Sequence, residues 1–150
     1  MTITARSGGF LLAAALWLFA CAAQAAPPDP PTLPAKDWQA IRKVIGDQLQ
    51  ALKAGDGARA MTFAAPGIRA QFGTPENFLR MVREGYAPLL EARHTQFLEG
   101  ALIEGATIQP LRLVLPDNTV LVALYQMQKQ ADGRWRISGC ALAPSTVQAT

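Results

Sequence analysis

His94, the only histidine, two tyrosines (Tyr86 and Tyr125) and two cysteines (Cys21 and Cys140) are the side chains here that could move a proton or attack an electrophile near neutral pH. Tyr86, His94 and Tyr125 each carry a polar tip in apolar surroundings, where desolvation retunes an acid or a base. Proton abstraction also needs a buried base, and none is in register. Asp117 and Asp132 fall in turns, and the stretch from Thr119 to Gln128 holds no acid. Cys140 with His94 is the nucleophile pair that the sequence allows, because an imidazole beside a thiol stabilises the thiolate. The competing reading makes Cys140 a small buried hydrophobe that ends the last strand beside Ala141 and Leu142. Ser138 stands in no G-x-S-x-G elbow.

Metal and nucleotide chemistry find little support. His94 and Cys140 are the only non-carboxylate ligands of the predicted domain, and the nearby Glu91 and Glu99 have no paired spacing. We therefore expect no metal and no cofactor. Gly55-Asp56-Gly57-Ala58-Arg59-Ala60 matches a dinucleotide fingerprint on paper, but it follows a helix rather than a strand. A terminating glycine followed by a capped helix explains the same residues.

Ligand binding is the chemistry best provided for. Trp38, Phe63, Phe72, Phe78, Tyr86, Phe97, Tyr125 and Trp135 are enough aromatics to line a pocket with a few polar contacts. Phe63, Phe78, Tyr86, Tyr125 and Trp135 are the candidate contacts, although the same spacings also read as plain core. Arg134 and Arg136 share a strand face with Ser138, and Arg112 from a neighbouring strand could join them against an anion. A solvated sheet face explains them equally well.

These residues need elements to position them. Trp38, Ile41, Val44, Ile45, Leu49 and Leu52 recur at helical spacing, with Asp37 as N-cap and Gly55 as terminator. Asp56 caps a short second helix, which Pro66 and Gly67 stop. Thr74-Pro75-Glu76 starts a third, with Phe78, Leu79, Met81 and Val82 as its buried stripe and Gly85 at its end. Beyond Arg93 the period changes to two. A less regular strand spans Thr95 to Ile103, and Leu111, Leu113 and Leu115 alternate before a turn at Pro116-Asp117-Asn118. Leu121, Ala123, Tyr125 and Met127 share the opposite face from Val120, Val122 and Leu124, and Asp132-Gly133 turns the chain into a last strand. Helices first and an antiparallel meander after them predict an α+β fold in which N-terminal helices pack on the sheet.

The front of the chain predicts an address. Arg6 precedes 14 unbroken apolar residues, Phe10 to Ala23, and Ala23-Gln24-Ala25 offers a cleavage site. The run is shorter than the ~20 residues that span a bilayer. We read residues 1–25 as a signal peptide, 26–36 as a proline-rich linker, 37–143 as one domain and 144–150 as a short tail. Leu18-Phe19-Ala20-Cys21 is the alternative: it resembles a lipobox with an aromatic where a small residue is usual, and acylated Cys21 would anchor the protein in a membrane. Otherwise the protein is periplasmic or secreted. Without Arg6 the 14 basic residues become 13 against 11 acidic, a net +2 with signs alternating along the chain, so we expect no nucleic-acid partner.

Gln48 to Ala65, Phe72-Gly73-Thr74-Pro75-Glu76-Asn77-Phe78-Leu79-Arg80-Met81-Val82 and Tyr86-Ala87-Pro88 resemble the helical half of a bacterial family, domain of unknown function 4864. Tyr125 to Gln130, Asp132 to Ile137 and Gly139-Cys140 resemble its closing hairpin, so the resemblance spans residues 38 to 142. It implies a nuclear-transport-factor-2-like (cystatin-like) cone, in which a curved sheet wraps a few helices, and it implies no activity. In many such cones the outer sheet face pairs two copies, so a homodimer is one implied arrangement. The expectation is an exported non-enzymatic module that binds a small apolar or amphipathic ligand or an envelope protein. The alternatives are a cone-type isomerase or dehydratase using Tyr86, His94 and Tyr125, and a lipid-anchored interaction protein.

Overall fold

A computed structural model describes Asp29 and residues 31–145, and the latter belong to a compact unit beginning at Pro31. The signal peptide, Cys21 and most of the proline-rich linker lie outside the described residues. No helix among the described residues is long and apolar enough to cross a membrane.

Five helices come first: α1 (Ala35–Lys53), α2 (Gly57–Thr62), α3 (Pro66–Phe72), α4 (Pro75–Gly85) and α5 (Ala87–Glu91). Five antiparallel strands follow: β1 (His94–Phe97), β2 (Ala101–Ile103), β3 (Ala106–Val114), β4 (Val120–Lys129) and β5 (Trp135–Pro144). The sheet runs β1-β3-β4-β5, with β2 beside β1 on the same edge of β3. The chain is thus α+β, with its helices packed on a curved, open antiparallel sheet.

Alternation along the strands decides which face carries the core. Leu111 and Leu113 of β3, Ala123, Tyr125 and Met127 of β4, and Trp135 and Ile137 of β5 turn inward. Against them lies the stripe Ile41, Ile45 and Leu49 of α1, with both isoleucines wholly buried. The C-terminal end of α1 forms a second cluster, in which Ala51 and Leu52 meet Met61 of α2 and Phe78 and Val82 of α4.

Three expectations need correcting. Asp37 does not cap α1: the cap is Pro34, without a side-chain bond, and Asp37 sits in the first turn. Its carboxylate accepts hydrogen bonds from Trp135 Nε1 and Lys129 Nζ, both at 3.3 Å, and so ties the helix to the closing hairpin. Pro66 and Gly67 do not merely stop α2; Pro66 opens α3, where its missing N–H costs nothing. The strand expected over Thr95 to Ile103 is two strands, broken at Leu98–Gly100. Pro110 explains the break. Its carbonyl accepts from the Leu98 N–H, so its ring nitrogen faces the same edge and cannot donate there. The wholly buried Gln109 bridges the gap by donating to the carbonyls of Leu98 and Pro110, while its Oε1 accepts from Arg42.

Candidate functional site

The site begins with an irregularity. Met127 pairs with Ile137, yet Gln126 pairs with Gly139, so Ser138 is an extra residue that bulges β5. The bulge lets Ile137 and Cys140 both turn inward, and it places Cys140 directly beside Tyr125. On the outer edge of β5 the chain between α2 and α3 docks: Ile137 N–H donates to the Phe63 carbonyl, and Ala65 N–H donates to that of Ile137. Thr74 Oγ accepts from the Asn77 N–H and fixes the start of α4, whose Phe78 and Val82 face the same space.

Between these elements is a cavity of about 210 Å³, partly open to solvent beside α3. Its wall is mostly apolar, and Phe72 and Phe78 meet edge to face, 5.8 Å apart at 65°. Among the described residues no charged side chain lines it, and four polar ones do: Gln48, Gln71, Tyr86 and Tyr125. Gln48 Nε2 donates to the Ala60 carbonyl at 3.2 Å, and the Tyr86 hydroxyl donates to the Cys140 carbonyl at 2.8 Å. Tyr125 is 1% exposed, and its hydroxyl oxygen has no hydrogen-bond partner. A buried hydroxyl without a partner is rare in native proteins.

Burial also sets the protonation here. It holds the Tyr125 hydroxyl well above the ordinary phenol value, and Cys140 nearby adds to the effect. Burial pushes the Cys140 thiol up to about 12. Near neutral pH both keep their protons, so the described residues that line the cavity include neither a thiolate nor a carboxylate base.

The candidate residues divide accordingly. Phe78, Tyr86 and Tyr125 line the cavity together, joined by Cys140, while Phe63 and Trp135 do not. Phe63 closes α2 through its backbone, and Trp135 is buried at the far end of β5 with Lys129 Nζ 5.6 Å above its ring. His94 is exposed at the start of β1, on the sheet edge opposite β5. Three strand spacings of about 4.8 Å keep it roughly 14 Å or more from Cys140, so neither the thiol pair nor a histidine-assisted tyrosine site is assembled. The expected arginine cluster disperses as well. Arg112 lies level with Val122 on β4 and Arg136 with Gln128, and Arg134 sits in the turn beside Asp132. Gly55, Asp56 and Gly57 serve local structure: Gly55 has φ +71°, Asp56 caps α2, and a Cβ at Gly57 would lie 2.8 Å from the Pro75 carbonyl oxygen. Among the described residues no three His, Cys, Asp or Glu side chains come together as a metal site.

Gln48 is the cavity residue that the pattern reading passed over. It sits in the apolar stripe of α1 between Ile45 and Leu49, and a polar residue in a buried register was the signal.

The family model described as Domain of unknown function (DUF4864) matches residues 34–150. The chain belongs to this family. The DUF4864 match takes in every helix and strand described above, and so every residue lining the cavity. None of the curated proteins matches the chain.

Proposed function

We propose that this DUF4864 protein is an exported, non-enzymatic module whose cavity binds a small apolar or amphipathic molecule. The cavity carries the proposal: it measures about 210 Å³ and is partly open to solvent. The apolar wall supports the reading, and so does the lack of a base among the lining side chains, which leaves acid–base turnover without an agent. Helices followed by a curved antiparallel meander support a nuclear-transport-factor-2-like cone as the scaffold. The leader-like residues 1–25 support export to the periplasm or beyond.

Native mass spectrometry of the protein recovered from its own cell envelope tests the function. We expect an excess mass that denaturation removes. A chain that always arrives bare overturns the reading. Ile68→Trp, which narrows the cavity from α3, gives an independent check: the excess mass should be lost. An excess mass that persists in that variant would place the bound molecule elsewhere and remove the argument.

A further inference from the structure

Resting on the cavity as a ligand site, we infer that Gln48 is its recognition residue: the ligand is a neutral apolar molecule whose hydroxyl donates to Gln48 Oε1. Gln48 stands in the buried stripe of α1, is 4% exposed and lines the cavity. Its amide is held one way round. Nε2 donates to the Ala60 carbonyl, where an oxygen would meet another oxygen, so Oε1 is the atom left to accept. It accepts nothing from the protein. Nor is it sealed from solvent, because among the described residues Tyr125 alone carries a buried side-chain polar atom that is both sealed and unpartnered. Oε1 therefore reaches the cavity. A carbonyl oxygen in an apolar wall needs a donor, and a molecule filling the cavity must bring it.

The other polar groups agree with a hydroxyl or lie out of reach. The Tyr86 hydroxyl commits its proton to the Cys140 carbonyl, so towards a ligand its oxygen accepts too. The second N–H of Gln48 and the thiol of Cys140 donate, and a hydroxyl oxygen can receive either. Gln71 is exposed on α3, and the Tyr125 hydroxyl is enclosed. A hydroxyl meets both kinds of demand, whereas an ether or a ketone offers Oε1 nothing. An ion would shed its hydration against a lining in which no described side chain is charged. Size sets the body: an apolar cavity of ~150 Å³ is enough for benzene. At about 210 Å³ this one takes a ring with a short substituent.

Three probes of similar size separate the terms. Benzyl alcohol carries a donor, anisole an acceptor without a donor, and ethylbenzene neither. Calorimetric titration of the purified protein gives each affinity, and dividing it by the probe's cyclohexane–water partition coefficient removes the probe's own hydration. On that scale benzyl alcohol should exceed the other two by about tenfold or more. Gln48→Met keeps the length of the side chain and should weaken benzyl alcohol about tenfold while ethylbenzene binds unchanged, which also shows the cavity intact. The parent supplies a readout that needs no variant. The side-chain carbonyl carbon resonance of Gln48 should move downfield with benzyl alcohol and not with anisole. An unmoved resonance, or equal losses of benzyl alcohol and anisole in Gln48→Met, overturns the donor assignment and leaves the apolar site standing. Binding of none of the probes, or binding that survives Ile68→Trp, overturns the site itself.

Discussion

Cys140 and Tyr125 face each other across β4 and β5, and both keep protons that the unfolded chain would release earlier. The folded thiol titrates at about 12 against 9.0 for a free one, so between those values the folded chain holds more protons than the unfolded one. Stability should therefore be unaffected by these groups below pH 9.0 and fall as the pH climbs towards 12, which urea denaturation across that range would show. The same burial predicts that iodoacetamide at pH 8 leaves native Cys140 unlabelled and labels it on denaturation; fast native labelling would contradict the raised value. Asp37 works in the opposite direction. The hydrogen bond from Trp135, reinforced by Lys129, holds its carboxyl below the ordinary 3.8, so its contribution is present above that value and fades as the pH falls through the lowered one. At this scale the sequence was informative where alternation fixed a side chain's face, as for Tyr125, Tyr86 and Phe78. It misled at His94, because the sheet edge that a residue occupies depends on strand order, which no local pattern encodes.

Two elements turn on single residues. Gly100, at the break between β1 and β2, lies against the ring of Trp38, and a Cβ there would come within 2.2 Å of it. Gly100→Ala must displace the indole or the connector, and we expect a loss of about 1–3 kcal/mol in denaturant titrations. Thr74→Ala removes the cap of α4 and should cost about 1 kcal/mol. Of the five helices, the three with strong signals were legible. The other two, α3 and α5, are short and have no side-chain cap, so their starts lack the side-chain acceptor that marks α4 and α2. The β3–β4 and β4–β5 turns were legible for a conformational reason: Asn118 and Gly133 take positive φ, which their types tolerate. The β2–β3 turn at Glu104 and Gly105 was not read. Pro110 was visible in β3, but its effect falls on the neighbouring strands and needs the pairing to be known.

On the scale of the whole molecule, the helix-then-sheet order and the two faces of the sheet followed from periodicity, whereas the cavity did not. It arises where a one-residue bulge, a three-residue bridge and four helices meet, and their meeting is set by register rather than by composition. Filling it should act on the entire fold. A ligand at one hundred times its Kd adds about 2.7 kcal/mol, read as a rise in melting temperature that Ile68→Trp abolishes. The address is tested by intact mass. Removal of residues 1–25 gives a chain starting at Ala26, and a diacylated Cys21 would instead establish a lipid anchor.

The tie between Asp37 and Trp135 joins residues 98 positions apart, and Arg42 reaches Gln109 across 67. A nascent chain emerges from the ribosome with its helices first, and the cover of Ile41 and Ile45 is complete only when the last strands have been made. Contacts of such long range form late. The finished fold therefore waits for the C-terminal hairpin, and a chain released before Trp135 is made lacks the tie that closes it.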